Sequence, residues 1–288
     1  MIAATRVALV TGSTDGVGRY VAGRLAALGI KVLVHGRDPA RAESLVRAVR
    51  DSGGSAQVYL ADFSSLAAVR EMARAVHRDY DRLDILINNA GIGVAGHYPG
   101  RHESMDGHEL RFAVNYLAGF LLTSLLLPRL QAPREARVVN VSSVGQQPID
   151  FDDVMLKRGY SGQRAYCQSK LAQIMFTVDL AEELAGSGVT ANALHPATYM
   201  DTKMVHGDGL TAMSSVAQGG EAILTLALGA ELVRRSGLYF DGTNATRANR
   251  QAYDPASRAR LRQLSFDLVG LPQPKDRTGG LGSGSKER

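Results

Sequence analysis

Tyr166 and Lys170 stand four residues apart in AYCQSK (165–170), a spacing that sets two side chains on one face of a helix. A free phenol, with a pKa near ~10, is a poor base at neutral pH, and an ammonium held beside it favours the phenolate. A depression of ~3 units corresponds to ~4 kcal/mol and would bring the phenol to where proton transfer is effective. Alone, the pair is also an ordinary helix-surface neighbourhood, so its meaning rests on what accompanies it. A second group lies near the N-terminus. VALVTGSTDGVGR (7–19) sets Gly12, Gly16 and Gly18 directly after a strand-like run. Glycines there permit a tight turn, close approach of backbone to a pyrophosphate, and a helix N-terminus facing the anion. Gly12, Ser13, Thr14, Asp15, Gly16, Val17 and Gly18 are the expected dinucleotide cradle. No Gly-Lys-Ser/Thr follows, which excludes a triphosphatase P-loop.

The elements that must position these groups are legible as an alternation. Apolar runs at 6–10, 31–35, 56–60, 84–88, 137–141, 189–194 and 237–240 are separated by helix-periodic stretches. Val17, Val21, Leu25 and Leu28 share helical spacing before Gly29. Asp38-Pro39 reads as N-cap and first helical residue, and Ser64 or Ser65 caps a helix with Leu66, Val69, Met72, Ala73 and Val76 inward. Strand–helix alternation with apolar strands predicts a doubly wound, Rossmann-type α/β fold: a mostly parallel seven-stranded sheet with helices on both faces. No linker or repeat divides it, so one domain is expected over 1–272, with 273–288, rich in Gly and charge, a disordered tail.

The bulk numbers narrow the setting. The chain has 288 residues, 45% hydrophobic and 21% charged, with a net charge of +5. Its charges are scattered along helical stretches such as ARAESLVRAVRDSG (40–53), with no aromatic-interleaved basic stripe, so no nucleic-acid partner is expected. Cys167 is the single cysteine, which rules out an internal disulfide and suits a reducing, cytoplasmic setting. Arg6 interrupts the N-terminus, unlike a signal peptide. YLAGFLLTSLLLP (116–128) is short for a membrane span and reads as a buried or interface helix. His97, His102 and His108 do not share a helix face, and no metal is expected.

TGSTDGVG (11–18), ADFSS (61–65), NNAG (88–91), VNYLAGFLLT (114–123), RVVNVSS (137–143) and YCQSK (166–170) follow in order, and the sequence resembles the short-chain dehydrogenase/reductase family over about residues 5–270. That resemblance implies hydride transfer between a nicotinamide and the carbonyl or secondary alcohol of a small molecule. It makes Tyr166 the general acid/base and sets Lys170 beside it and on the nicotinamide ribose. Ser143, rather than Ser142, holds the substrate oxygen, and Asn115 at a helix kink positions a water beside Lys170. It further puts Asp62 and Phe63 against the adenine, Asn89, Ala90 and Gly91 along the adenosine side, and Pro196 at the nicotinamide end. Asn88 instead ties adjacent strands.

In VLVHGRD (32–38), Gly36 stands where NAD-selecting members of the family place an acid, and Arg37 follows. An acid would bind a ribose 2′-hydroxyl, whereas a guanidinium suits a 2′-phosphate. NADP(H) is therefore the preferred cofactor and NAD(H) the alternative, with Asp38 assigned to the helix cap.

Two departures bear on the substrate. Ser143 and Tyr166 are separated by QQPIDFDDVMLKRGYSGQR (146–164), as in the retinol dehydrogenase and WW-domain-oxidoreductase branch, which handles bulky apolar alcohols and carbonyls. Phe151, Val154, Met155, Leu156 and Tyr160 either line a lid or pack within a surface excursion. HPATYMDTKM (195–204) has Ala197 for the family's glycine and its threonine one place late, so either Thr198 or Thr202 meets the carboxamide. Residues 199–215 read as a mobile substrate loop. The helices around 116–128 and ending in Lys170 either carry a homodimer or homotetramer interface or are buried in the monomer. A silent NADP-binding sensor or scaffold is the alternative from another class. A methyltransferase of similar fold leaves Tyr166, Lys170 and Ser143 unexplained.

Overall fold

The structure, a computed structural model, describes residues 5–96 and 98–273; His97 and, apart from Gln273, the tail expected over 273–288 lie outside them. The apolar runs and amphipathic stretches fold as β1 (Val7–Val10), α1 (Gly16–Ala27), β2 (Lys31–Gly36), α2 (Pro39–Asp51), β3 (Ala56–Leu60), α3 (Leu66–Asp79) and β4 (Ile85–Asn88). A short α4 (Leu110–Phe112) passes through a π-turn (Ala113–Leu117) into α5 (Ala118–Leu130). Then come β5 (Ala136–Val141), α6 (Gly162–Glu183), β6 (Val189–His195), α7 (Lys203–Gly207), α8 (Val216–Leu228), β7 (Tyr239–Asp241), β8 (Asn244–Thr246) and α9 (Pro255–Val269).

The sheet order is β3-β2-β1-β4-β5-β6-β7-β8, parallel except for the last pair. The expected seven strands are all present; the eighth, antiparallel, is an addition. Asp241 pairs Asn244 across a two-residue turn, and all three β8 residues are exposed, so no apolar pattern announces the strand. Both faces of the sheet are covered, and β1 shows how. Val7 and Leu9 enter the core shared with α3, α5, α6 and α9, while Ala8 and Val10 enter the one shared with α1, α2 and α8. Caps fix the helix starts: Asp38 accepts from Arg41 N, and Ser65, not Ser64, accepts from Ala68 N.

The helix from Leu110 to Leu130 is long and apolar enough to cross a membrane, longer than the run read at 116–128, and 72% of its apolar window is buried inside the fold. Part of that burial comes from α9. The Tyr116 hydroxyl meets Ser265 Oγ at 2.6 Å, and Phe266 packs edge-on to Phe120 at 5.1 Å. Arg258 reaches Glu182 at 2.8 Å and Asp179 at 3.3 Å. These contacts bury part of the face shared by α5 and α6 within the chain.

On either side of β1 the strand order reverses direction, and the loops leaving β1 and β4 diverge. That opens a crevice at the C-terminal ends of the strands.

Candidate active site

The glycine loop forms the floor of this crevice, a cleft of about 600 Å³ lined by Gly12, Thr14, Asp15, Gly16, Val17 and Gly18 at one end and by Ser143, Tyr166 and Lys170 at the other. The loop is fitted to its neighbours by the absence of side chains. Gly12 takes φ 63°, and a Cβ there would stand 2.9 Å from Ala90 Cα. A Cβ on Gly18 would overlap the Gly12 carbonyl oxygen and the Asn89 amide. Asn89 lines the cleft and also holds the loop, its Nδ2 donating to Thr11 O at 2.8 Å and Gly12 O at 3.1 Å. Asp15 caps α1 by accepting from Gly16 N, and its carboxyl is held low chiefly by Lys203, 2.7 Å away. Ser13 is turned off the cleft: its Oγ accepts from His35 N at 3.0 Å. These features fit a dinucleotide, whose pyrophosphate needs close backbone approach at a helix N-terminus.

At the adenosine end, Arg37, Asp62 and Phe63 all line the cleft. Arg37 donates to the Tyr98 hydroxyl at 3.0 Å, which with its other surroundings holds its proton more firmly. Asp62 Oδ1 accepts from Ser64 N at 2.8 Å. A Cβ on Gly36 would overlap the Thr14 methyl, so packing as well as charge keeps an acid from that position.

At the other end four side chains converge. The π-turn adds a residue to the helix and turns Asn115 inward. Its Oδ1 accepts from Ile92 N at 2.8 Å, and its Nδ2 donates to Ser169 Oγ at 3.0 Å. A Cβ on Gly91 would sit 3.2 Å from Asn115 Oδ1 and 3.6 Å from Lys170 Nζ, so Gly91 keeps the space between them open. Lys170 Nζ donates to Val141 O at 2.9 Å and to Gln173 Oε1 at 3.0 Å, and lies 5.7 Å from the centre of the Tyr166 ring. Ser143 accepts from Gly145 N at 3.0 Å and lies beside the Tyr166 phenol, where its hydroxyl favours the ionised form. Ser142 donates to Lys170 O at 2.7 Å, and Asn88 to Asn140 Oδ1 at 2.8 Å, the supporting roles expected of them.

The titration differs from the sequence expectation. Burial raises the Tyr166 phenol above its usual value, against a smaller opposing pull from Ser143. The same burial pushes Lys170 down to about 7. Desolvation penalises both charged forms, and the ammonium is spent on Val141 and Gln173 rather than aimed at the phenol oxygen. At neutral pH Tyr166 therefore holds its proton, as a general acid must.

The outer wall is the segment after β6. Pro196, Thr198 and Thr202 line the cleft, but both hydroxyls are engaged: Thr198 Oγ1 with His195 Nε2 at 3.1 Å, Thr202 as the cap of α7. Asp208 crosses to the far wall and accepts from Val94 N at 2.9 Å and Ala95 N at 2.8 Å. Tyr199 carries φ 43°, a costly left-handed conformation of the kind found at ligand clamps. Of the insertion at 146–164 only Gln163 lines the cleft: Leu156 is buried, Phe151, Val154 and Met155 pack on the core, and Tyr160 hydrogen-bonds Arg111 and Glu109.

A family model described as short chain dehydrogenase matches residues 6–211. The chain is a short-chain dehydrogenase. Human retinol dehydrogenase 13 is 36% identical over 94% of this chain and 87% of its own length, and human retinol dehydrogenase 12 is 34% identical over 92% and 87%. The crystal structure of an uncharacterized protein from Mycobacterium paratuberculosis superposes with a TM-score of 0.76 at 30% identity, covering 93% of this chain and 95% of that one. The family is one of oxidoreductases acting on CH–OH or C=O groups with a nicotinamide cofactor, and this short-chain dehydrogenase lies in its retinol dehydrogenase-like branch.

In this dehydrogenase the cleft brings together every residue expected to be catalytic or to bind the cofactor except Ser13 and Asn115, which stand just behind its lining. Sequence reasoning missed His35, Gln173, Tyr98, His195 and Asp208. His35, Tyr98 and Asp208 work through neighbours distant in the chain, whereas Gln173 and His195 meet Lys170 and Thr198 three residues away. Gly18→Ala is expected to abolish measurable NADPH and NADH binding, read by nicotinamide fluorescence, because the methyl must displace the Gly12 carbonyl or Asn89. Unchanged binding would mean that the dinucleotide does not lie on this loop.

Proposed function

We propose that this short-chain dehydrogenase transfers a hydride between NADP(H) and the carbonyl or secondary-alcohol carbon of a bulky, hydrophobic small molecule. The observation that carries the reading is the meeting of Ser143, Tyr166 and Lys170, with Asn115 behind them, in the same cleft as Arg37. When bound, the nicotinamide supplies or accepts the hydride. The chain's residues manage the rest. Ser143 donates to the substrate oxygen and fixes it beside the phenol. Tyr166 gives its proton to that oxygen in reduction and takes it back in oxidation. Lys170, poised near neutrality by burial, holds the ribose hydroxyls and exchanges protons with the region kept open by Gly91.

Apolar chains support the substrate class. Val94, Val144, Tyr199, Met204 and Leu210 line the cleft, and Val144 is 59% exposed. The two human relatives are named for retinol, a large apolar alcohol. For the cofactor, Arg37 presents a planar donor fork with no acid at Gly36 to oppose a 2′-phosphate.

Titration with NADPH and NADH tests this reading. Arg37→Ala is expected to weaken NADPH binding about 10- to 100-fold, the scale of a lost charge-assisted hydrogen bond, and to leave NADH unchanged. Equal affinity for both, unmoved by the substitution, would shift the reading to NAD(H) with the same catalytic cluster.

A further inference from the structure

We infer that His35 is a positioning residue for the dinucleotide: its imidazole orients the glycine loop by accepting a hydrogen bond from the Gly12 amide. The inference rests on the nicotinamide dinucleotide of the family and is independent of the choice between NADP(H) and NAD(H).

His35 is the penultimate residue of β2, 3% exposed, with its ring between the glycine loop and the end of β3. Gly12 N donates to Nδ1 at 3.0 Å. Nε2 lies 3.1 Å from Ala61 O, and the ring stacks on Phe63 with centroids 4.2 Å apart. The two contacts fix the tautomer between them. An amide can only donate and a carbonyl can only accept, so the proton resides on Nε2 and Nδ1 is the free acceptor. Burial supports that neutral state by pushing the imidazole down to about 4. One ring therefore joins three segments that meet around a dinucleotide: the phosphate loop, the end of β2, and the Asp62–Phe63 corner.

The Thr11–Gly12 peptide is held from both sides. Its carbonyl, Thr11 O, accepts from Asn89 Nδ2 at 2.8 Å and its N–H, on Gly12, is taken by His35, while the Gly12 φ of 63° favours glycine. With both polar atoms engaged, this peptide plane cannot rotate to satisfy itself elsewhere, and the rest of the loop is preset for a pyrophosphate. Binding then carries less ordering cost. The backbone splice is separate. Ser13 N donates to His35 O at 2.9 Å and His35 N to Ser13 Oγ at 3.0 Å, so changing the side chain leaves loop and strand attached.

Two substitutions separate the ring's two nitrogens. Asn places its Oδ1 where Nδ1 stands and has no group at Nε2; Gln reaches the Nε2 position with a donor but presents no acceptor at Nδ1. The experiment measures Kd for NADPH and for NADH by nicotinamide fluorescence, and Tm without cofactor, for wild type, His35→Asn and His35→Gln. His35→Gln is expected to weaken both dinucleotides about tenfold or more, the scale of an unpaired buried amide. His35→Asn is expected to stay near wild type in both Kd values while losing more Tm than His35→Gln. Equal weakening in the two variants, or weakening that follows Tm, would leave the ring a purely structural element and overturn the proposal. So would a loss confined to NADPH, which places the effect at the 2′-phosphate. Wild-type binding of neither dinucleotide would instead overturn the cofactor reading beneath it. A measurement on the unmutated chain stands apart from folding: ¹⁵N shifts of labelled histidine should show His35 neutral and protonated at Nε2, and a proton on Nδ1 would refute the assignment.

Discussion

Tyr166→Phe is expected to lower kcat for carbonyl reduction by about 10²- to 10⁴-fold, the range that a positioned acid/base supplies. Cofactor affinity should hold, because the substitution removes one oxygen and keeps the ring between Ser143 and Lys170. Stability should hold as well. The phenol is buried and its charged form is penalised by that burial, so phenylalanine leaves no ionised group behind and frees only the Ser143 hydroxyl, which still accepts from Gly145 N. A drop in kcat at unchanged Tm and unchanged NADPH affinity isolates proton transfer. The pH dependence follows with its sign. Because burial raises the phenol, Tyr166 is protonated at neutral pH; reduction needs that form and should be supported there, while alcohol oxidation needs the phenolate and should speed up as pH rises. A Tyr166→Phe enzyme that keeps more than about a tenth of the wild-type rate would assign the proton to another group, with Lys170, near neutrality, the first to examine.

How far the sequence carried depends on whether a residue's role is local. The seven parallel strands were readable because strands covered on both faces must be continuously apolar. The glycine loop was readable because positive φ and close approach demand a residue type at a fixed place. β8 was not, since its Asn-Ala-Thr is exposed and polar. The π-turn carrying Asn115 has no signature beyond the family motif, because one extra residue in a helix changes no apolar period that a short segment could display. Nor could the direction of the Tyr166 shift be read from the Tyr–Lys spacing: the pair's separation is local, but the desolvation that prevails over it is set by the whole fold. His35 escaped for the same reason. His35 acts on a residue 23 positions earlier, and nothing in VLVHGRD indicates on which face of the strand a ligand will lie.

Arg111 is the largest such omission, and its replacement by methionine is expected to destabilise the chain by about 3–5 kcal/mol, the cost of breaking a buried ion pair from one side. The guanidinium has no exposed surface. Its Nε donates to Gly93 O, and one terminal nitrogen donates to Val94 O and Tyr98 O, each at 2.8 Å; the other donates to the Tyr160 hydroxyl at 2.6 Å. Glu109, 1% exposed, lies 3.9 Å away and accepts from Phe112 N and from the same phenol, which burial and that carboxylate push up to about 12. The hub thus ties the 93–98 wall of the cleft to the residues that open α6, one turn before Tyr166. Methionine fills much of the volume but strands three carbonyls and a carboxylate. Lysine restores the charge without the planar fork and should recover only part of the loss. The double variant Glu109→Gln/Arg111→Met separates charge from hydrogen bonding. If the uncompensated carboxylate is the main cost, the second change should return a substantial share of the stability, read as the denaturant midpoint at constant m-value. An Arg111→Met protein within about 1 kcal/mol of wild type would show that water reaches the hub and that the wall is held by packing alone.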